Sequence, residues 1–351
     1  MKKRNIILTL LCIVALIGFI VYANGNFGPY QRRVLNLCAI YTVLALSMNL
    51  INGFTGLFSL GHAGFMAVGA YTTAILTMSE ASKQQNFFMT PIVGPLESIS
   101  LPFLPALIIG GLLSAFVAFL IGAPTLRLKG DYLAIATLGF SEIIRIIFTN
   151  TQSLTNGSLG LKGIPNTTNL WWSFGCAAFT LLFIVALINS SYGKAFKAIR
   201  EDEIAAESMG INLFKHKILS FVIGAFFAGI GGGLLGNLLG SINPNMFRFI
   251  LTFNVLLIIV LGGMGSITGT VLSSFIVTSG LEYLRFLDES VNLGFIKLEG
   301  VAGLRMVVFS TILMVVVIFF NNGLMGNKEF SWDKFINFFK RRPFQKKGVQ
   351  Q

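Results

Sequence analysis

Residues 193–217 (GKAFKAIREDEIAAESMGINLFKHK) form the longest charged segment of this chain and separate two apolar segments. Alanine, lysine, arginine and glutamate dominate residues 194–209 and no proline interrupts them, so we predict a single helix there. Gly210 is expected to end that helix, because glycine adopts the left-handed C′ conformation without steric cost. Apolar residues at helical spacing would form one face of this helix, and charged residues would cover the rest of its surface. The apolar residues are Phe196, Ile199, Ala206 and Met209; the charged residues are Arg200, Glu201, Asp202, Glu203 and Glu207. The sequence therefore predicts a short amphipathic helix outside the membrane.

The composition indicates the class of protein. Hydrophobic residues make up 54% of the 351 residues and charged residues only 11%, which excludes an ordinary soluble domain. Several runs of about 20 apolar residues have the length that a helix needs to cross the hydrocarbon core. We predict an all-α, polytopic transmembrane helical bundle of about ten spans; these are residues 1–22, 34–51, 53–78, 104–122, 132–148, 171–189, 218–239, 249–261, 267–284 and 304–320. The first is interpreted as an uncleaved span rather than a cleaved signal peptide, because its apolar run is long for one, and residues 53–78 fit either a span or a re-entrant segment.

Positive charges indicate the orientation of the bundle. Of the 26 lysines and arginines, 17 fall on the side of residues 193–217 when both termini are placed there. Because positively charged loops favour the cytosol, we predict that this segment and a basic tail at 326–351 are cytosolic. Arg32 and Arg33 fall on the opposite side and run against this trend. The tail fits either an interfacial helix or a disordered segment, and the net charge of +12 indicates contact with anionic lipid rather than nucleic acid.

Residues 198–212 (AIREDEIAAESMGIN) resemble the coupling loop of permeases in the branched-chain amino-acid family of ABC importers. The general importer pattern is Glu-Ala-Ala, three residues and then Gly. Ala205, Ala206 and Gly210 match it, whereas Ile204 holds the Glu position and Glu203 lies one residue earlier. In that family the loop docks on the ATPase subunit, so the resemblance implies ATPase-coupling roles for Arg200, Glu203, Ala205, Ala206 and Gly210. An amphipathic cytosolic loop without a docking role is the alternative that this stretch alone leaves open.

Three further stretches resemble the same family and follow its order along the chain. They are residues 49–65 (NLINGFTGLFSLGHAGF) with Gly69, Ala70 and Tyr71, residues 124–140 (PTLRLKGDYLAIATLGF) and residues 261–266 (LGGMGS). The resemblance extends from about residue 34 to residue 324 and implies a large-importer permease architecture. In that architecture residues 1–325 form the transmembrane permease domain, with a cytosolic coupling helix between the sixth and seventh spans.

Polar and glycine residues near the interrupted segment are candidates for a substrate path. A broken helix frees backbone groups that lipid cannot satisfy, so residues 53–64 belong in the protein interior or beside a water-filled path. Close helix packing is the competing interpretation for the glycines and for His62. Glu142 and Arg145 either neutralise each other or bind the ammonium and carboxylate of a substrate. The candidate pathway residues are Asn49, Ser59, Gly61, His62, Glu142, Arg145 and Gly263, the last in a glycine cluster that also fits a tight turn.

Motifs of catalysis and metal binding are missing from the sequence. It contains no Gly-x-x-x-x-Gly-Lys-Ser/Thr phosphate-binding loop, no His-Glu-x-x-His, no Cys-x-x-Cys and no nucleophile elbow. Cys12, Cys38 and Cys176 lie in apolar segments, where thiols act as small hydrophobic groups. We therefore predict that the chain is not an enzyme and binds neither a metal nor a cofactor, with ATP bound by partner subunits.

The resemblance implies a permease subunit of an ABC importer for branched-chain or other neutral amino acids, in the cytoplasmic membrane of a prokaryote. The expected partners are a homologous second permease, two cytosolic ABC ATPase subunits, an extracytoplasmic substrate-binding protein and the lipid membrane. A permease for urea or a short-chain amide shares most of these motifs and is the nearest alternative. A secondary transporter independent of any ATPase is the alternative from another class, but it has no use for a short capped helix at 194–209.

Overall fold

The computed structural model describes residues 3–128, 130–288, 291–292, 297–298, 303–319, 323–326 and 329, so nearly all of the predicted basic tail at 326–351 lies outside the described residues. The α-helices are α1 (Lys3–Asn26), α2 (Pro29–Asn49), α3 (His62–Thr77), α4 (Glu80–Asn86), α5 (Gly94–Glu97), α6 (Phe103–Thr125), α7 (Asp131–Asn150), α8 (Gln152–Thr155), α9 (Leu170–Asn189), α10 (Ser191–Glu201), α11 (Glu203–Ser208), α12 (Leu213–Leu239), α13 (Phe249–Gly262), α14 (Ile267–Tyr283) and α15 (Leu304–Phe319). A π-helical turn, Leu50–Phe54, extends α2.

Other regular structure is sparse in the described part of the chain. Short 3-10 turns occupy Gly157–Leu159, Pro244–Phe247 and Leu284–Leu287. Two antiparallel pairs of two-residue strands join β1 (Leu161–Lys162) to β2 (Ser241–Ile242) and β3 (Val291–Asn292) to β4 (Lys297–Leu298). The predicted all-α class is therefore confirmed.

The apolar helices coincide with the predicted spans, but only five of the helices in the described residues are long and apolar enough to cross a membrane alone. These are Pro29–Phe54, which joins α2 to its π turn, and α6, α7, α9 and α12. The helices α3, α13, α14 and α15 contain only 14 to 17 residues, against the ~20 that a straight crossing requires. The helical membrane bundle is thus confirmed at this coarser level.

The helices α2 and α12 lie at the centre of the bundle. They are mostly buried, whereas only about a third of the apolar stretch of α6, α7 and α9 is buried. Glycines bring α12 into backbone contact with α3: a Cβ at Gly69 would overlap the carbonyl oxygen of Gly229, and one at Gly232 would overlap that of Met66. Small residues at such contacts let helices associate closely in lipid, where packing supplies the attraction. The exposed apolar side chains of α6 and α9 are left to face the hydrocarbon core.

The bundle has two distinct ends, which we name the coupling end and the far end. The coupling end carries α10 and α11, the C-terminus of α2 and the turn between α13 and α14. At the far end Asn237 of α12 donates hydrogen bonds to Thr77, Pro165 and Thr167, which anchors the polar loop that precedes α9. Lys83 in the same end region is buried and donates to backbone carbonyls, and that burial lowers the pKa of its ammonium group.

Candidate functional site

The charged segment folds as two helices, so the prediction of one unbroken helix over 194–209 is wrong. Asp202, between α10 and α11, has an extended backbone with φ −159° and ψ 116°. Its Oδ1 accepts hydrogen bonds from the N–H groups of Ile204 (2.8 Å) and Ala205 (3.0 Å). Aspartate is a preferred N-cap because its carboxylate satisfies N–H groups that have no partner within the helix. The extended backbone of Asp202 ends the first helix, and its side-chain cap starts the second.

Gly210 ends the second helix, as predicted. Its φ is +82°, its N–H donates to the carbonyl of Glu207 (2.9 Å), and the N–H of Ile211 donates to that of Ala206 (3.1 Å). These two bonds form the Schellman C-cap. A Cβ at position 210 would meet nothing within 4 Å, so the requirement for glycine there is conformational rather than steric.

The helix α10 is packed into the bundle. Phe196 is fully buried in a cluster with Leu50 and Phe54 of the π turn and Ile188 of α9. The ammonium of Lys197 lies 5.8 Å from the centre of the Phe54 ring, within range of a cation–π interaction. The segment is therefore fixed to the end of α2 and to α9.

The helix α11 presents an apolar surface to solvent. Ile204 is 75% exposed and Met209 is 83% exposed, whereas Ala206 faces the protein and is only 3% exposed. We name Ile204, the exposed Ala205 and Met209 the docking face. Met209 was predicted to share the apolar face of Phe196, but the break at Asp202 separates the two helices and leaves Met209 outside.

An ion pair holds α11 against α12. The Nζ of Lys217 lies 2.6 Å from Oε1 of Glu203, and the lysine side chain is 7% exposed. The sequence predicted Glu203 as a coupling residue but did not single out Lys217. Its signal was a lysine directly before the predicted span 218–239, since a charge at the edge of an apolar span is costly to bury without a partner.

Arg200 joins the charged segment to two other motif stretches. Its Nη1 donates to the carbonyl of Gly53 at 3.0 Å. A Cβ at Gly56 would lie 2.8 Å from the Arg200 Cγ, and a Cβ at Gly265 would lie 2.6 Å from Nη1. We name Gly53, Gly56, Arg200 and Gly265 the glycine junction. A Cβ at Gly56 or at Gly265 would crowd Arg200, and both glycines have a positive φ, +75° and +85°, that other residues rarely adopt.

Asn49 connects the same regions from inside the bundle. Its Oδ1 accepts from the N–H of Gly265 (2.9 Å), and its Nδ2 donates to the carbonyl of Ser266 (3.0 Å) and to the hydroxyl of Thr270 (2.8 Å). These bonds use three of the four that an amide side chain can form. Gly263, with φ +106°, ends α13 in the tight turn that follows. Both residues thus hold the turn between α13 and α14, and contact of either with substrate stays a prediction.

The break between α2 and α3 lies in the protein interior, one of the two sites that the sequence allowed. Asn52 brackets the loop, with its Oδ1 accepting from the N–H of Ser59 and its Nδ2 donating to the Ser59 carbonyl. Ser59 accepts from the N–H of Gly61 in turn. His62 begins α3, and its Nε2 lies 3.0 Å from the hydroxyl of Ser47. Protein groups therefore satisfy several of the backbone groups that the break sets free.

The fourth motif stretch reaches the same loop through α7. The N–H of Leu60 donates to the hydroxyl of Thr137 at 3.0 Å, and a Cβ at Gly61 would lie 2.9 Å from the Thr137 carbonyl oxygen. Three motif stretches thus meet at the glycine junction, and the fourth packs against the loop that follows it. At Gly61 the structural reason for a glycine is the close approach of the α7 backbone.

Glu142 and Arg145 form an ion pair further along α7. The Arg145 Nε lies 2.6 Å from the Glu142 Oε2, and both side chains are partly exposed. They lie about one to two helical turns beyond Thr137, which contacts the loop described above. The structure thus has the mutual neutralisation that the sequence allowed; substrate binding by the pair stays a prediction. Among the described residues, no cluster of three or more His, Cys, Asp or Glu side chains is placed to hold a metal ion.

The membrane-length helices define the class of protein as an integral membrane protein, with a charged two-helix segment fixed to one end. A family model described as branched-chain amino acid transport system / permease component matches residues 30–317, a range that contains all four motif stretches. The chain belongs to this family.

Curated relatives agree with that assignment. The chain is 32% identical to the high-affinity branched-chain amino acid transport system permease protein LivM of Escherichia coli (strain K12), over 82% of this chain and 70% of LivM. It is 25% identical to the probable branched-chain amino acid transport permease protein LivM of Methanocaldococcus jannaschii, over 82% and 91% of the two chains. It is 24% identical to the E. coli permease protein LivH, over 87% and 98%. No solved structure matches the chain significantly.

Proposed function

We propose that this chain is the permease subunit of an ABC importer that moves branched-chain or other neutral amino acids across the cytoplasmic membrane of a prokaryote. The similarity to proteins named as branched-chain amino acid permeases supports the cargo class. The observation that carries the ABC assignment is the docking face. Two large apolar side chains stand exposed on a capped helix that is fixed to the bundle, as a surface that docks a partner requires.

The importer would contain two different permeases. This chain is similar to both LivM and LivH, which carry the name of one E. coli transport system. A homologous second permease would therefore enclose the path together with this chain. Two cytosolic ATPases would bind ATP and dock on α11, and an extracytoplasmic binding protein would deliver cargo. In this arrangement the shorter apolar helices α3, α13, α14 and α15 would complete about ten crossings with α1 and the five long ones.

The contacts of the charged segment suggest how ATPase movement reaches the membrane. The Glu203–Lys217 pair links the docking helix to α12, and Arg200 links α10 to the end of α2 and the turn before α14. Closure of the ATPases on ATP would displace α10 and α11, and these contacts would move three central helices together. Such a displacement biases an outward-facing against an inward-facing arrangement, which is a population shift driven by differential binding.

The test is a pull-down of the tagged chain from native membranes, with mass identification of the proteins recovered. We would compare the wild type with Ile204→Asp plus Met209→Asp, which alters only exposed side chains of the docking face. Glu203 is left unchanged because its removal would strand the buried Lys217. Tyr132→Asp serves as the control: Tyr132 is also an exposed aromatic residue, on the first turn of α7, where a carboxylate is favoured.

We expect the wild type and the Tyr132 control to recover two ATPases and a second permease. The docking-face variant should lose the ATPases by at least about 10-fold and keep the second permease, because central apolar residues dominate the binding energy of interfaces. Recovery of the chain without any ATPase, in a detergent that keeps known complexes intact, would support a secondary transporter instead. Full retention of the ATPases by the variant would show that they do not dock on α11.

A further inference from the structure

A cavity of about 260 Å³ lies at the far end of the bundle, among α2, α12, α13 and α14. Most of its wall is apolar, and the aliphatic residues of this wall include Leu37, Leu235, Leu251, Ile258, Val277 and Leu281. Tyr41 and four polar or charged residues join them: Arg33, Asn254, Thr278 and Glu282. None of these belongs to the coupling segment or to the four motif stretches.

Two opposite charges line this cavity without neutralising each other. Arg33 is on the first turns of α2, and Glu282 is near the end of α14. Within the part of the chain that the structure describes, neither side chain takes part in an ion pair. Glu282 accepts one hydrogen bond from the hydroxyl of Tyr30, at 3.4 Å, so most of its acceptor capacity is not used there. The two charges are therefore available to a solute that carries both signs.

An unpartnered hydroxyl provides an independent indication of a ligand. Thr278 is only 5% exposed, and its Oγ1 has no hydrogen-bond partner among the described residues. Buried polar side chains almost always form hydrogen bonds, and the exceptions call for an explanation. Thr278 lines this cavity between the aliphatic wall and Glu282, four residues further along α14. A ligand group in the cavity would give the hydroxyl its partner.

We propose that this cavity binds one neutral amino acid with an aliphatic side chain at the far end of the permease. The guanidinium of Arg33 pairs with the substrate carboxylate, because its fork of donors matches a carboxylate. Glu282 binds the ammonium, Thr278 and Asn254 supply further hydrogen bonds, and the leucine, isoleucine and valine side chains cover the aliphatic part. The volume lies just below the ~300–1,000 Å³ of sites for drug-sized ligands, which suits a single small solute. This assignment rests on the proposed function and adds its entry site.

The test is initial uptake of radiolabelled L-leucine by cells that contain the complete importer and no other branched-chain uptake system. Arg33→Gln and Glu282→Gln should each raise the half-saturation concentration by roughly 10-fold, since each removes a charge-assisted hydrogen bond. Thr278→Val should raise it by about 3-fold, and Arg33→Lys should retain more affinity than Arg33→Gln. Arg32→Gln is the matched control, because Arg32 is the adjacent arginine and does not line the cavity. Copurification of the other subunits verifies that each variant assembles.

The outcomes separate the site from the function. A wild-type importer that takes up no L-leucine, L-isoleucine or L-valine overturns both proposals. Wild-type uptake with unchanged half-saturation in both charge variants overturns the cavity alone. The Arg33 variant could instead show a lower maximal rate at an unchanged half-saturation concentration. If that effect depends on anionic lipid in proteoliposomes, Arg33 is assigned to a lipid headgroup, which also overturns the site. A raised half-saturation in the charge variants, with the Arg32 control unaffected, supports the entry site.

Discussion

The ion pair between Glu203 and Lys217 should determine how firmly α11 is held to the bundle. Glu203→Gln leaves the nearly buried lysine without its charged partner, whose Oε1 lies 2.6 Å from Nζ. Loss of a hydrogen bond between charged groups costs about 1.5–3 kcal/mol, but Glu203 is more than a third exposed, so solvent screening reduces the effect. We therefore expect about 1–2 kcal/mol, which corresponds to a roughly 5- to 30-fold larger population of detached α11.

Labelling of a cysteine measures that population. Ala206→Cys, in a chain whose native cysteines are replaced by serine, places a thiol on the face of α11 that is turned to the protein. When opening is fast relative to labelling, the rate of maleimide attachment follows the opening equilibrium. Glu203→Gln should raise this rate 5- to 30-fold. Glu207→Gln, on an exposed position of the same helix, should leave it nearly unchanged.

A double substitution distinguishes the ion pair from other effects of Glu203. Lys217→Met removes the buried charge, so Glu203→Gln should have little further effect in that background. The reasoning would be refuted if the two substitutions acted additively on the labelling rate. Equal rates in Glu203→Gln and Glu207→Gln would refute it as well.

Three further predictions concern the elements that support the site. Gly210→Ala should destabilise the cap of α11 by about 1–2 kcal/mol, because alanine is strained at φ +82°. Faster labelling of the Ala206→Cys thiol measures this effect. Gly210→Asn should be milder, and equal effects of the two substitutions would contradict the conformational explanation. Phe196→Ala should lower the free energy of unfolding by about 3–5 kcal/mol, because it removes a buried aromatic side chain. A thermal shift of the purified protein measures the change. A shift no larger than that of Tyr192→Ala, on the exposed side of α10, would count against this prediction. Asn49→Leu should lower the stability of the fold by about 1–3 kcal/mol for each backbone group left unpaired. A reduced yield and melting temperature would show this loss. A variant as stable as Asn189→Leu, which alters an exposed amide, would be inconsistent with a stabilising role of the Asn49 hydrogen bonds.

The helix break at Asp202 shows why some local features could not be predicted from the sequence. Composition favours one helix over 194–209, and an N-cap aspartate within a charged run resembles any other charged residue of that run. The packing of Phe196 on one side of the break and the Glu203–Lys217 pair on the other fix the two helices in different directions. The end of α11 was predictable because Gly210 acts locally, through its own backbone conformation.

Candidate pathway residues illustrate the same limit. Asn49, Ser59 and His62 were expected either in the interior or beside a water-filled path, and a polar side chain satisfies both expectations equally. In the structure Asn49 bonds to backbone groups of the turn before α14, the Ser59 hydroxyl accepts from the N–H of Gly61, and the His62 ring lies against the Ser47 hydroxyl. Their hydrogen bonds are thus directed at the protein. Partners more than 200 residues away in the chain, such as Gly265 for Asn49, leave no signal in local periodicity.

The sequence by itself determined what depends on composition and local order: a helical membrane protein, the approximate positions of its apolar helices, the charged segment with its glycine stop, and four motif stretches of one permease family. Only the tertiary structure decided what depends on distant contacts. It brought Gly53, Gly56 and Gly265 around Arg200, gave Glu203 its partner in Lys217, and placed Arg33 and Glu282 on one cavity. The physical reason is that such contacts follow from how the helices pack against one another, and periodicity along one helix does not specify its neighbours.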